Sequence, residues 1–128
     1  MKKWIWALPM ASLFLSSCSS RDAQLDVEAP NIKIMSPAPN SLYPTGTALP
    51  VDVVFDENLG LHTYFIWLVS LEDNMPYLVD KQHLHTLNLE VSLDFSLDGM
   101  APGPYELLVE ADDHDNNKTK ATVPVRIE

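Results

Sequence analysis

The chain has 128 residues, with 18 Asp and Glu against 8 Lys and Arg, four His, ten Pro, four Gly and one Cys, and a formal net charge of -10. An acidic chain without a basic stretch has no electrostatic footprint for a phosphate backbone, which argues against nucleic-acid binding, and one cysteine excludes an internal disulfide. An apolar fraction of 46% over this length suits one globular domain.

Met1, Lys2 and Lys3 make a short positive start, followed by an apolar run over residues 4–15 broken by Pro9 and Ser12. Such a run is too short to span a bilayer as a helix, which takes about 20 apolar residues, and it reads as a secretory signal. It closes on Leu15-Ser16-Ser17-Cys18, which resembles the lipobox of bacterial lipoproteins. That resemblance implies cleavage before Cys18, lipidation of Cys18 and, with Ser19 next, sorting to the outer membrane of a Gram-negative cell, on its periplasmic or surface side. Loss of residues 1–17 removes two positive charges, leaving 6 Lys and Arg against 18 Asp and Glu and a mature charge of -12. Anionic headgroups repel such a chain. Attachment then rests on acyl chains, each buried methylene contributing about 0.8 kcal/mol, and more than one chain is needed. Residues 18–30 read as a flexible lipidated tether ending at Pro30.

Residues 31–128 read as short strands punctuated by turn chemistry. Ile32 and Ile34 alternate with polar neighbours in a first strand, stopped at Ser36-Pro37 because proline supplies no ladder donor. A second strand over residues 49–55 places Val51, Val53 and Phe55 on one face, and residues 56–60 read as a turn. The third, residues 61–70, is apolar on both faces: Tyr64, Ile66 and Leu68 on one, Phe65, Trp67 and Val69 on the other. A weak fourth strand over residues 76–80 opens with Pro76, so an edge is expected. In the fifth, Leu87, Leu89, Val91, Leu93 and Phe95 alternate with polar residues; the sixth turns Tyr105, Leu107, Val109 and Ala111 inward; the seventh does so with Ala121, Val123, Val125 and Ile127. Residues 112–117 form the polar loop between the last two.

Seven short strands in about 100 residues, with no helical period, predict an all-β, immunoglobulin-like antiparallel sandwich. Tyr105, just after Gly103-Pro104, stands where a tyrosine corner belongs. Pro30-Asn31-Ile32, Ser36-Pro37, Phe55-Asp56 with Leu59-Gly60-Leu61, Pro102-Gly103-Pro104-Tyr105 and Ala111-Asp112 with Asn116-Asn117 together resemble the Ig-like domains of bacterial envelope lipoproteins, including a group described only as a domain of unknown function. The resemblance spans residues 30–128 and implies a fold rather than an activity.

In a sandwich of this type the loops after strands two, four and six gather at the end where the chain enters. That end is expected to hold Asp56, Glu57, His62, His83, His85, Asp112, Asp113, His114 and Asp115. His83 and His85, two apart on an extended chain, project to one side about 6.5 to 7 Å apart, within reach of one metal; imidazole suits Zn or Cu. Carboxylates of residues 112–117, with Asp56 and Glu57, offer oxygen donors to Ca. The plainer reading of both sets is polar residues serving strand ends and turn backbone. Phe65, Trp67 and Val69 are a third candidate, as an apolar surface for a partner.

No Gly-rich phosphate loop or serine elbow is present, so no catalytic residue is assigned. The sequence thus reads as a monomeric, non-catalytic, lipid-anchored module that contacts another envelope protein or an extracellular ligand. The alternative is a metal-binding envelope lipoprotein using the His/Asp cluster.

Overall fold

The computed structural model describes residues 25–128; the expected signal segment, the lipobox-like residues 15–18 and most of the expected tether lie outside the described residues. Six strands follow in chain order: β1 (Asn31–Ser36), β2 (Ser41–Tyr43), β3 (Ala48–Ser70), β4 (Pro76–Ser96), β5 (Gly103–Asp113) and β6 (Lys118–Ile127). Alternation of apolar and polar side chains builds them. Along β5, for example, every second residue from Gly103 to Asp113 is buried and those between are half-buried.

The architecture is set by one long hairpin. β3 and β4 pair antiparallel from Ala48↔Ser96 to Val69↔Pro76, and each contributes to two layers. The first half of β3 lies between β1 and the second half of β4. Its second half lies between the first half of β4 and β5, and β5 continues to β6 and then to β2, which runs parallel to β6. The strand changes layer where Asp56 pairs with Asn88 but the next pair is Leu61 with Thr86: residues 57–60 of β3 stand against Leu87 alone. Extra residues on one strand bend it and sharpen its twist. Gly60, at φ 131°, supplies a backbone angle that a side chain would strain.

The corner folds the hairpin onto itself and closes the core. Leu49, Val51, Val53 and Phe55 from the first half of β3 meet Tyr64, Ile66 and Leu68 from the second, with Leu107, Val109, Val125 and Ile127 across the layer. Phe55 and Tyr64, on either side of the corner, stack with ring centroids 4.8 Å apart. The Tyr64 hydroxyl donates to Asp80 Oδ2 at 2.6 Å, so the one polar atom of this ring is satisfied. Tyr105 donates to the carbonyl of Ala101 at 2.7 Å, the bond expected of a tyrosine corner.

The all-β character and inward faces agree with the sequence, but the strand count does not. Residues 56–60 do not reverse the chain; because the residues flanking them keep the same partner strand, the turn-forming residues bulge out as a corner. Residues 81–86 contain neither Gly nor Pro, and the expected fourth and fifth strands run together as β4. β2, three residues long with Leu42 exposed, gives no periodic signal of its own. Leu87, expected inward, is 51% exposed opposite the bulge, and Ala121 is only half-buried.

Leu107→Ala should cost about 2 to 5 kcal/mol of unfolding free energy, since its fully buried side chain leaves a cavity at the centre of β5. Tyr105→Phe should cost about 1 kcal/mol for the lost bond to Ala101. Urea unfolding of both variants checks the two values and their order.

Candidate functional site

The end of the domain where the chain enters carries two adjoining polar clusters, on either side of the loop after β5. The first is made of carboxylates. Asp26 precedes β1, Glu57 sits in the β3 bulge and Asp113 ends β5. All three are nearly buried, at 8%, 6% and 2% exposure. Each has one oxygen held by amides. Asp26 Oδ1 accepts from the Glu28 amide and Asn58 Nδ2, Glu57 Oε1 from the amides of Asn58 and Leu59, and Asp113 Oδ1 from those of Asp115 and Asn117. Asp113 Oδ2 accepts from Asn117 Nδ2 at 2.7 Å, whereas Asp26 Oδ2 and Glu57 Oε2 are buried with no hydrogen-bond partner among the described residues. Each of the three residues offers an oxygen within 4.8 Å of the others. Among the described residues the one ion pair is Lys120–Glu110, so no cationic side chain offsets these charges. Burial pushes the Glu57 carboxyl above its ordinary range, and the negative charges of Asp26 and Asp113 add to the effect against the opposing pull of two backbone amides.

The second cluster is histidine. His62 lies just past the corner of β3, where the register slips against both β4 and β5; His83 and His85 lie on β4, and His114 is in the loop after β5. The ring of His62 is 4.3 Å from His83, 4.6 Å from His114 and 6.3 Å from His85, centre to centre. His85 and His114 stack at 4.8 Å with an interplanar angle of 3°, and Nδ1 of His85 is 2.9 Å from Nε2 of His114. His62 is half-buried while the other three are exposed, so four imidazoles from three chain segments share one solvent-facing patch. Two nitrogens on one tetrahedral zinc at 2.0 to 2.1 Å stand about 3.3 Å apart, close to the His85–His114 separation, but among the described residues no third ligand atom lies within 4.8 Å of both, so a metal here requires the ring of His62 or His83 to turn.

The remaining residues singled out in the sequence are scattered around these clusters. Asp56 is exposed, pairs with Asn31 and stays outside the carboxylate set. Asp112, one residue before Asp113, points to the other side of β5, into a groove of about 230 Å³ shared with Phe65, Lys118 and Lys120. Asp115 accepts the amide of Asp26 at 3.0 Å and so fixes the entering chain. Phe65, Trp67 and Val69 are half-buried on the outer face of β3, the first two rings parallel within 10° and 6.0 Å apart.

Asp26 is absent from the sequence-derived site. Its place in an acidic segment suggests a solvated tether, yet the end of that segment is tied down: the Asp26 carbonyl accepts from Asn117 Nδ2 at 2.8 Å and its carboxylate from Asn58. The readable signal is the amide partners, since Asn58 and Asn117 each follow a buried carboxylate closely in sequence.

No protein-family model matches the sequence, and no curated protein matches it at a significant level. In structure the chain is similar to the fibronectin(III)-like modules of CbhA from Clostridium thermocellum, at 15% identity and a TM-score of 0.50, covering 76% of this chain and 94% of that one. It is also similar to a chitin binding domain from Burkholderia pseudomallei, at 9% identity and a TM-score of 0.50 over 70% of this chain and 57% of that one. A superoxide reductase (neelaredoxin) from Ignicoccus hospitalis gives 10% identity and a TM-score of 0.53 over 80% and 83%. Likeness at such identities establishes the fold alone, a β-sandwich of the fibronectin(III) and Ig-like kind.

Since folding raises the affinity of Glu57 for its proton, its charge weakens the fold at neutral pH, and the penalty fades as pH falls to the ordinary glutamate value of 4.5. With chelator present, Glu57→Gln should therefore melt above the wild type at neutral pH. The gap should close as pH falls to about 4.5, which paired thermal melts across that range would show.

Proposed function

We propose that this chain is a non-catalytic binding module of the cell envelope, anchored by lipid on Cys18, and that its recognition element is the four-histidine patch, which takes a transition metal such as Zn or Cu. The observation that carries this reading is the gathering of His62, His83, His85 and His114, with every ring centre 4.3 to 6.3 Å from that of His62, so that a turn of one further ring would bring a third nitrogen to the His85–His114 pair. Imidazole suits both ions, and sites that keep an open position bind further ligands through the metal. A binding role fits a fold that fibronectin(III)-like and chitin binding domains also have.

Titration of the purified chain with Zn or Cu should give one ion per chain. A free ion concentration about 100 times the dissociation constant should stabilise the fold by about 2.7 kcal/mol. His83→Ala combined with His85→Ala should abolish the shift while leaving the metal-free melt within about 0.5 kcal/mol, because both side chains are exposed. An unchanged melt with either ion removes this reading.

The parallel pair Phe65 and Trp67 favours a second reading, in which another envelope protein covers the outer face of β3. Trp67 is the one tryptophan after residue 17, so its fluorescence should shift to shorter wavelength when a purified envelope partner docks there. Emission that stays constant while the partner binds places the contact elsewhere.

A further inference from the structure

The carboxylate cluster carries an inference separate from the histidine patch. We infer that Asp26, Glu57 and Asp113 form a calcium site that fastens the entering chain to the base of the sandwich. The oxygens they offer lie within 4.8 Å of one another, the largest separation of two oxygens each 2.4 Å from one ion, and calcium takes oxygens at 2.3 to 2.6 Å.

Two observations distinguish this cluster from an ordinary acidic surface. Asp26 and Glu57 are more than nine-tenths buried, and each keeps one carboxylate oxygen that no hydrogen bond from the described residues satisfies. An unpaired buried carboxylate oxygen is costly, and here two occur together with a third carboxylate and, among the described residues, no cationic side chain paired to them. The amides complete the case. By holding Asp26 Oδ1, Glu57 Oε1 and Asp113 Oδ1, they orient the three groups and leave the second oxygens of Asp26 and Glu57 available. A groove bordered by Glu28, Asn31, Asp56, Glu57 and Asn58 opens beside the cluster, and the negative charges of Glu28 and Asp56 at its edge would draw a cation inward.

All three donors are carboxylates, so the site selects a hard cation, and the histidine patch next to it does not compete for the same ion. Smaller Mg holds its water shell and demands stricter octahedral geometry, so it should bind less well. The three residues come from the entering segment, the β3 corner and the end of β5. Bound calcium therefore crosslinks the chain start to both layers. On the lipid-anchor reading proposed above, and resting on it, this fixes how the domain stands over the membrane.

The test is a calcium titration of the full chain by calorimetry and thermal melting, beside magnesium and chelator controls, repeated with Asp26→Asn and Glu57→Gln. Both substitutions keep a carbonyl oxygen for the orienting amides. Calcium at about 100 times its dissociation constant should raise the wild-type Tm by about 10 °C, with a clearly smaller rise for magnesium. Each variant should lose most of that rise, and Glu57→Gln should melt no lower than the wild type in chelator. Zinc or copper binding at the histidines should persist in both variants, so failure of the calcium site and failure of the histidine site read out separately. A wild-type Tm unmoved by about 10 mM calcium, well above the range of extracellular calcium modules, overturns the inference. So does an equal calcium shift in wild type and both variants. Should a variant fail to fold, the wild-type titration and its magnesium control decide alone.

Discussion

The corner in β3 is the constraint on which the rest of the molecule depends. A 23-residue strand cannot stay flat and also bury the apolar side chains of both its halves. By placing four residues against one at positions 57–60, the chain bends enough for Phe55 to stack on Tyr64. The two layers thereby become halves of a single hairpin rather than separate sheets that must find each other. The core residues on either side of the bend are almost all inaccessible to solvent, and their burial supplies the dominant stabilising term in a domain without a disulfide.

The same bend creates the polar end of the domain. Bulged residues are released from the ladder, so their side chains can be aimed independently of strand alternation. Glu57 turns into the base of the domain, where two carboxylates await it, while His62, just past the corner, joins the histidines of β4 and the loop after β5. Structure and candidate chemistry are therefore coupled at the place where the strand changes layer. An alteration that straightened the corner would disperse both clusters together with the core.

Much of this was legible in the sequence, for a physical reason. Burial on one face of a strand writes a period of two into the chain, and Val51, Val53, Phe55, Leu107 and Val109 carry it without interruption. The grouping of the histidines was expected from strand ends at one pole of a sandwich, but His83 and His85 lie inside the continuous β4, and it is the β3 corner and its register slip that bring His62 beside them. What stayed hidden was continuity. Asp, Asn and Gly favour a reversal and a bulge alike, and only the pairing of the flanking residues decides between them. Asp26 was hidden for a different reason: its burial arises from partners at Asn58, Asp115 and Asn117, up to 91 positions away, and no local pattern records such contacts.

Among the described residues β4 has β3 as its sole neighbour, so one flank of its backbone is left unpaired by them over 21 residues. A flank like this is an invitation to unwanted strand addition. Here the flank opens with Pro76, bends with the corner, and carries Lys81, Glu90 and Asp94 exposed along its length. Hairpin curvature and dispersed charge thus act as a safeguard against polymerisation, letting a long open border persist without a capping strand.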